Sequence, residues 1–201
     1  MTISVAIYLF PGVEVLDFAG PYEVFTTANR VFERQQSTKN KVFNVFTVSR
    51  NPGLLRARAG LAVLPDFCLT DHPDIQILIV PGGIVNDELS LPELTKWITK
   101  VHEQSLLTAS VCTGAFLLGI AGILNGKEAT THWEDIEDLR AMFPLITVLE
   151  KRRWIDQGKI VTSAGISAGV DMSLHLVERF AGRTLAEATA KQMEVDWPNL
   201  E

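Results

Sequence analysis

The chain has 201 residues, 47% of them hydrophobic and 21% charged, which fits one folded domain and excludes a disordered chain, a collagen-like repeat and a coiled coil. Eighteen Lys and Arg residues stand against 24 Asp and Glu, a net charge of -6, with no basic stripe of the kind a nucleic-acid binder presents. The uncharged apolar run from Ala115 to Leu124 is about half of what a membrane span needs.

The first predicted element is a buried strand, Ile3–Phe10, apolar and β-branched or aromatic, which stops at Pro11-Gly12. It carries no basic leader and no small-residue cleavage site, so it reads as a strand and not as an export signal. Pro21 suits the first turn of a helix running to about Gln35, with Tyr22, Phe25, Ala28 and Phe32 on one face. Val42–Ser49 is the second strand. Leu61–Leu64 pairs with the stretch before it through the Ala59-Gly60 turn as a small hairpin. Ile75–Val80 is a third buried strand, followed by a helix that opens at Pro92 and runs through Glu103. The strand Leu106–Val111 leads into an almost wholly apolar helix, Thr113–Leu124, predicted to be buried on all sides. Trp133–Phe143 is an amphipathic helix that stops at Pro144, and Lys159–Thr162 is the last strand. Helices Ser167–Phe180 and Thr184–Val195 follow, the second with Thr184 as its N-cap.

This alternation predicts an α/β fold: a mainly parallel sheet between helices on both faces, with residues 1–201 as a single domain. In such sheets ligands sit outside the carboxyl ends of the strands, so the residues just after each strand carry the interest. Gly82 and Gly83 follow the third strand. They allow a sharp turn that can point N–H groups at a bound group, although no dinucleotide fingerprint is present. Cys112 sits where strand meets helix, followed by the small residues Thr113, Gly114 and Ala115, the setting of a nucleophile elbow. The helix N-terminus behind it favours thiolate, the reactive form; a buried inert cysteine is the alternative. Cys68 has no such context, and the two cysteines make neither a C-x-x-C pair nor a disulfide framework, as in a reduced, cytoplasmic protein.

Gly165-Ile166-Ser167-Ala168-Gly169 fits a G-x-S-x-G pattern. The only later histidine is His175, eight residues on, so a serine hydrolase is rejected and the small residues are assigned to close helix–strand packing. Asp17, placed between the first strand and the first helix, is either a capping residue or a carboxyl facing Cys112 across the strand ends. His132 either orients a thiol or starts a helix. His72 and His102 are expected at the surface, and four scattered histidines give no metal-ligand spacing.

Taken together, Phe10-Pro11-Gly12, Val15-Leu16-Asp17-Phe18-Ala19-Gly20-Pro21, Val80-Pro81-Gly82-Gly83, Ser110-Val111-Cys112-Thr113-Gly114-Ala115 and Ala129-Thr130-Thr131-His132-Trp133 resemble the DJ-1/PfpI superfamily over essentially the whole chain. The resemblance implies a flavodoxin-like three-layer sandwich, related to the class I glutamine amidotransferases. Asp17 in place of Glu, and Thr113 after the cysteine, are most similar to the isocyanide hydratase branch. A related branch forms the ligand-sensing half of AraC-type regulators, whose added helix-turn-helix module is not expected in a chain ending at Glu201.

That resemblance implies a lyase that hydrates a small-molecule isocyanide to an N-substituted formamide, with Cys112 as nucleophile and no metal or organic cofactor. Asp17 would move the protons and hold the Cys112 sulfur, with Thr113 supporting that geometry. Backbone N–H groups at Gly82, Gly83 and Thr113 would stabilise developing charge. His132 supports a hydrolytic Cys-His pair in other branches and is expected to be structural here. Another hydrolase or glyoxalase-type chemistry, a redox or stress sensor oxidised at Cys112, and a binding module without catalysis are the rivals. A homodimer is expected, with no nucleic-acid or membrane partner.

Overall fold

The computed structural model describes residues 2–37 and 39–197. In chain order the elements are β1 (Ile3–Leu9), α1 (Val15–Gln36), β2 (Phe43–Ser49), β3 (Leu55–Arg56), β4 (Ala62–Val63), β5 (Phe67–Cys68), β6 (Ile77–Val80), α2 (Asn86–Leu89) and α3 (Pro92–Gln104). Then come β7 (Leu107–Val111), α4 (Gly114–Ile120), β8 (Glu128–Ala129), α5 (Ile136–Met142), β9 (Thr147–Val148), β10 (Trp154–Asp156), β11 (Ile160–Ser163), α6 (Ala168–Ala181) and α7 (Arg183–Gln192).

Seven strands form the central sheet in the order β10-β11-β7-β6-β1-β2-β5. Every pairing is parallel except β10 with β11. The inner strands are apolar on both faces because both are covered: Val5 to Leu9 and Ile77 to Val80 are wholly buried. Helices α1, α6 and α7 pack together as one layer, while α4 packs with α2 and α3 in another. The side-chain amide of Asn29 knits α1 to the start of β2, accepting from the Val42 and Phe43 N–H groups and donating to the Phe43 carbonyl at 2.7 Å. The expected hairpin is β3–β4, paired antiparallel with Leu55 opposite Val63.

Several boundaries differ from the sequence expectations. Helix α1 begins at Val15, six residues before the predicted Pro21 start, so Pro21 lies inside it. Proline is tolerated there because the entry turn is already anchored: the Glu14 N–H is bonded to the Gly82 carbonyl at 2.9 Å, and Asp17 and Phe18 are buried. The predicted apolar helix after Cys112 is only α4, and Ala121 to Asn125 continue as turns. Thr184 lies within α7, whose N-cap is Gly182 at φ 91°. His72 and His102 are half-buried, His72 accepting from the Trp97 indole at 2.9 Å and His102 lying 3.0 Å from the Thr108 hydroxyl.

Candidate active site

Cys112 occupies the junction of β7 and α4 with φ 55°, the left-handed region that a side-chain-bearing residue avoids at a cost of about 1–3 kcal/mol. Its neighbours over-determine that conformation. The Cys112 N–H donates to the Ser163 carbonyl on β11 at 3.1 Å, and the Thr131 hydroxyl donates to the Cys112 carbonyl at 2.8 Å. Two glycines make room for the turn. A Cβ at Gly114 would lie 2.0 Å from the Val80 carbonyl oxygen, and one at Gly82 would lie 2.6 Å from the Thr113 nitrogen. The Cys112 turn therefore rests directly on the carboxyl end of β6. Cys112 is buried, with 8% of its surface exposed.

Asp17 lies in the first turn of α1 and is completely buried. The Gly82 N–H donates to its Oδ2 at 3.1 Å. Its Oδ1 has no partner of full hydrogen-bond geometry, while the Cys112 thiol and the Ile166 N–H approach the carboxyl more loosely. Burial pushes the Asp17 carboxyl up to about 6, against the opposing pull of the Gly82 N–H. The Cys112 thiol is pushed up to about 12, first by burial and then by the Asp17 charge, although the Thr113 N–H favours its ionised form.

This departs from the expectation that the helix N-terminus would favour thiolate. Helix α4 has only seven residues, and its field is outweighed by desolvation and by a carboxylate at the sulfur. Ionising both groups would bury two adjacent negative charges, so the pair holds one proton across the neutral range.

Gly82 and Gly83 differ from expectation in a second way, because their N–H groups are already engaged. The Gly82 N–H serves Asp17. The Gly83 N–H donates to the Thr113 hydroxyl at 2.9 Å, and that hydroxyl donates back to the Gly83 carbonyl at 3.0 Å. Gly83, at φ 135°, leaves no space for a side chain: a Cβ there would meet the Gly12 carbonyl oxygen at 2.4 Å. The two glycines thus act through backbone that fixes Asp17 and Thr113, and the Thr113 N–H is the donor facing the sulfur.

His132 is 19% exposed and turns Nδ1 toward its own loop, 3.4 Å from Asp135 Oδ2 and 3.7 Å from Glu134 Oε2. Its ring lies against Gly165, where a Cβ would sit 2.1 Å from Cδ2. Asp135 is a residue that the sequence reasoning missed. Burial pushes its carboxyl upward, and its charge also opposes ionisation of Cys112. The available signal was its position three residues after His132 at the start of a helix. Ser167 is exposed at the entry to α6, and a Cβ at Gly169 would meet Val111 at 2.9 Å, so the small residues there do serve close packing.

Two clefts flank these strand ends. One, of about 590 Å³, runs between Thr130–Ile136 and Ala164–Ser167. The other, of about 490 Å³, opens at Gly83 and Thr113 and extends between α2, α4 and α5. Among the described residues no three His, Cys, Asp or Glu side chains come together as a metal site.

Comparison with known proteins places this geometry. The DJ-1/PfpI family pattern matches residues 3–179. Isonitrile hydratase of Pseudomonas putida is 32% identical over 199 residues, covering 96% of this chain and 79% of that protein. The HTH-type transcriptional regulator CdhR of Pseudomonas aeruginosa is 29% identical over 92% of this chain, which spans only 52% of the regulator. The crystal structure of a THiJ/PfpI family protein from Pseudomonas syringae superposes with a TM-score of 0.84 at 26% identity, covering 100% of this chain and 78% of that one.

Proposed function

The chain belongs to the DJ-1/PfpI family, and from that membership we propose that it is a cysteine-dependent hydratase that converts an isocyanide to an N-substituted formamide. One observation carries the reading: a wholly buried carboxyl, Asp17, raised to about 6 and in contact with the Cys112 thiol. Such a group can accept a proton from sulfur and hand it to carbon at neutral pH. The 32% identity to isonitrile hydratase supports the same chemistry.

In this mechanism the Cys112 sulfur attacks the terminal isocyanide carbon and passes its proton to Asp17. Asp17 then protonates that carbon, leaving a thioimidate, R–N=CH–S, on Cys112. Water adds to the thioimidate carbon while Asp17 takes one of its protons. Asp17 returns that proton to the nitrogen, the C–S bond breaks as the hydroxyl becomes the carbonyl, its proton passes to the sulfur, and R–NH–CHO leaves with the thiol restored. The sum is isocyanide plus one water, with no redox change. Thr113 holds the Gly83 loop and aims its N–H at the sulfur, where it stabilises developing thiolate. His132 stays with its own loop and takes no step.

Turnover of phenyl isocyanide tests the assignment. The wild type is expected to release N-phenylformamide, and Cys112→Ala and Asp17→Asn to lose that activity by about 10³-fold or more. No formamide from folded wild type would overturn the reaction. The protein is further proposed to act as a homodimer in the cytoplasm.

A further inference from the structure

We propose that the cleft beside Thr113 receives the N-substituent of the substrate and selects substituents that carry a positive charge on a short apolar group. The inference rests on the hydratase reading and adds the class of isocyanide that the protein takes.

The cleft begins at the nucleophile's own supports. Gly83 and Thr113, which share two hydrogen bonds beside the Cys112 turn, are part of its lining. Its volume of about 490 Å³ suits a small organic group. Val85, Leu89, Phe116 and Met142 supply the apolar part of its walls. The charged groups that line it are two carboxylates, Asp135 and Asp138. Among the described residues neither is paired with a lysine or arginine; Asp135 meets only the His132 ring, at 3.4 Å.

The larger cleft differs in this respect. Glu137 and Glu150 line it together with Lys151 and Arg152, and Arg140 bridges both glutamates. Its carboxylates are matched inside the protein and it carries cations besides, while the carboxylates of the Thr113 cleft are left for a ligand to balance. An ammonium group carried on a short apolar stem satisfies both features.

The placement has a catalytic consequence. Asp135 is close enough to Cys112 for its charge to oppose ionisation of the thiol. A cation bound beside Asp135 offsets that charge, so a fitting substrate eases ionisation of the nucleophile that attacks it.

Two isosteric probes separate charge from shape: 2-(trimethylammonio)ethyl isocyanide and 3,3-dimethylbutyl isocyanide. The expected result is a kcat/KM about tenfold higher for the cationic probe, a preference that shrinks with added salt. Asp138→Asn, a nearly isosteric change at an exposed position, should bring the ratio close to one. A wild-type ratio at or below one, or a preference untouched by Asp138→Asn, overturns the proposal.

Calorimetry of the two corresponding formamides with Cys112→Ala reads the cleft without turnover. Tighter binding of the cationic formamide, lost in the Cys112→Ala, Asp138→Asn double variant, supports the cleft even if the wild type hydrates neither probe; the hydratase reading alone then falls. Turnover of both probes with equal rates and equal formamide binding leaves the hydratase standing and removes the cleft assignment.

Discussion

At the scale of single residues, Asp17 and Cys112 make opposite demands that experiment can separate. The Asp17 charge raises the thiol, so Asp17→Asn should lower the Cys112 pKa while removing the proposed proton carrier. At pH 8, iodoacetamide should alkylate Cys112 in Asp17→Asn about tenfold faster than in the wild type, the effect of lowering a thiol pKa by roughly one, although turnover is lost. Intact-mass time courses read the first quantity and formamide assays the second; slower alkylation in Asp17→Asn would mean that Asp17 activates the thiol at rest. The same carboxyl also costs stability. Its folded value of about 6 lies above the ordinary 3.8, so the folded protein binds the extra proton. Destabilisation therefore sets in as pH rises from about 4 and is complete above about 6, reaching at most roughly 3 kcal/mol. Thermal melts should show Asp17→Asn more stable than wild type at pH 7.5, with the gap closing at pH 4.

At the scale of elements, the Cys112 turn depends on three segments touching without side chains between them. Gly114→Ala would drive a methyl to 2.0 Å from the Val80 carbonyl oxygen, which cannot move without breaking the β6–β7 pairing. The expected loss is roughly 2–4 kcal/mol in urea unfolding, the size typical of overpacked cores. Gly158→Ala, at a position with no atom within 4 Å of the added carbon, should cost less even though its φ of 79° is unfavourable. These contacts also show what the sequence could convey. The five strands read from runs of apolar residues all lie in the central sheet, because burial on both faces leaves a continuous signal. The two- and three-residue strands β5, β8, β9 and β10 carry too few residues for any period to register. Pro21 misplaced the start of α1 because a proline seven residues into a helix and one at its first turn look alike without the tertiary anchor at Glu14. Cys112 and Asp17 were each conspicuous for their settings, but their contact and the engagement of the Gly82 and Gly83 N–H groups depend on how three loops meet. Asp135 stayed hidden because a charged residue in a helical turn is ordinary until burial is known.

For the molecule as a whole, part of the exposed apolar surface is shared by α1 and the segment after β4. Leu16 and Tyr22 on α1 and Leu64 after β4 are 42%, 38% and 68% exposed and border one cleft of about 580 Å³ with Val63 and Met193. Burying the part of each side chain that is still exposed is worth about 1–2 kcal/mol, which would contribute to holding two copies together. Leu16 immediately precedes Asp17, so a second copy seated here would also cover the turn that carries Asp17. Sedimentation equilibrium should return twice the 22.2 kDa chain mass, 2 × 22.2 = 44.4 kDa. Leu64→Asp places a charge in the middle of that face and removes no core contact, since the side chain is mostly exposed. It should therefore dissociate the dimer while leaving the circular dichroism spectrum unchanged. A wild-type mass of one chain at micromolar concentration, or a Leu64→Asp protein that remains dimeric, would place the interface elsewhere or remove it. If monomers formed by Leu64→Asp also show faster hydrogen exchange at the first turn of α1, the shielding of Asp17 depends on the second copy and activity should fall with dilution.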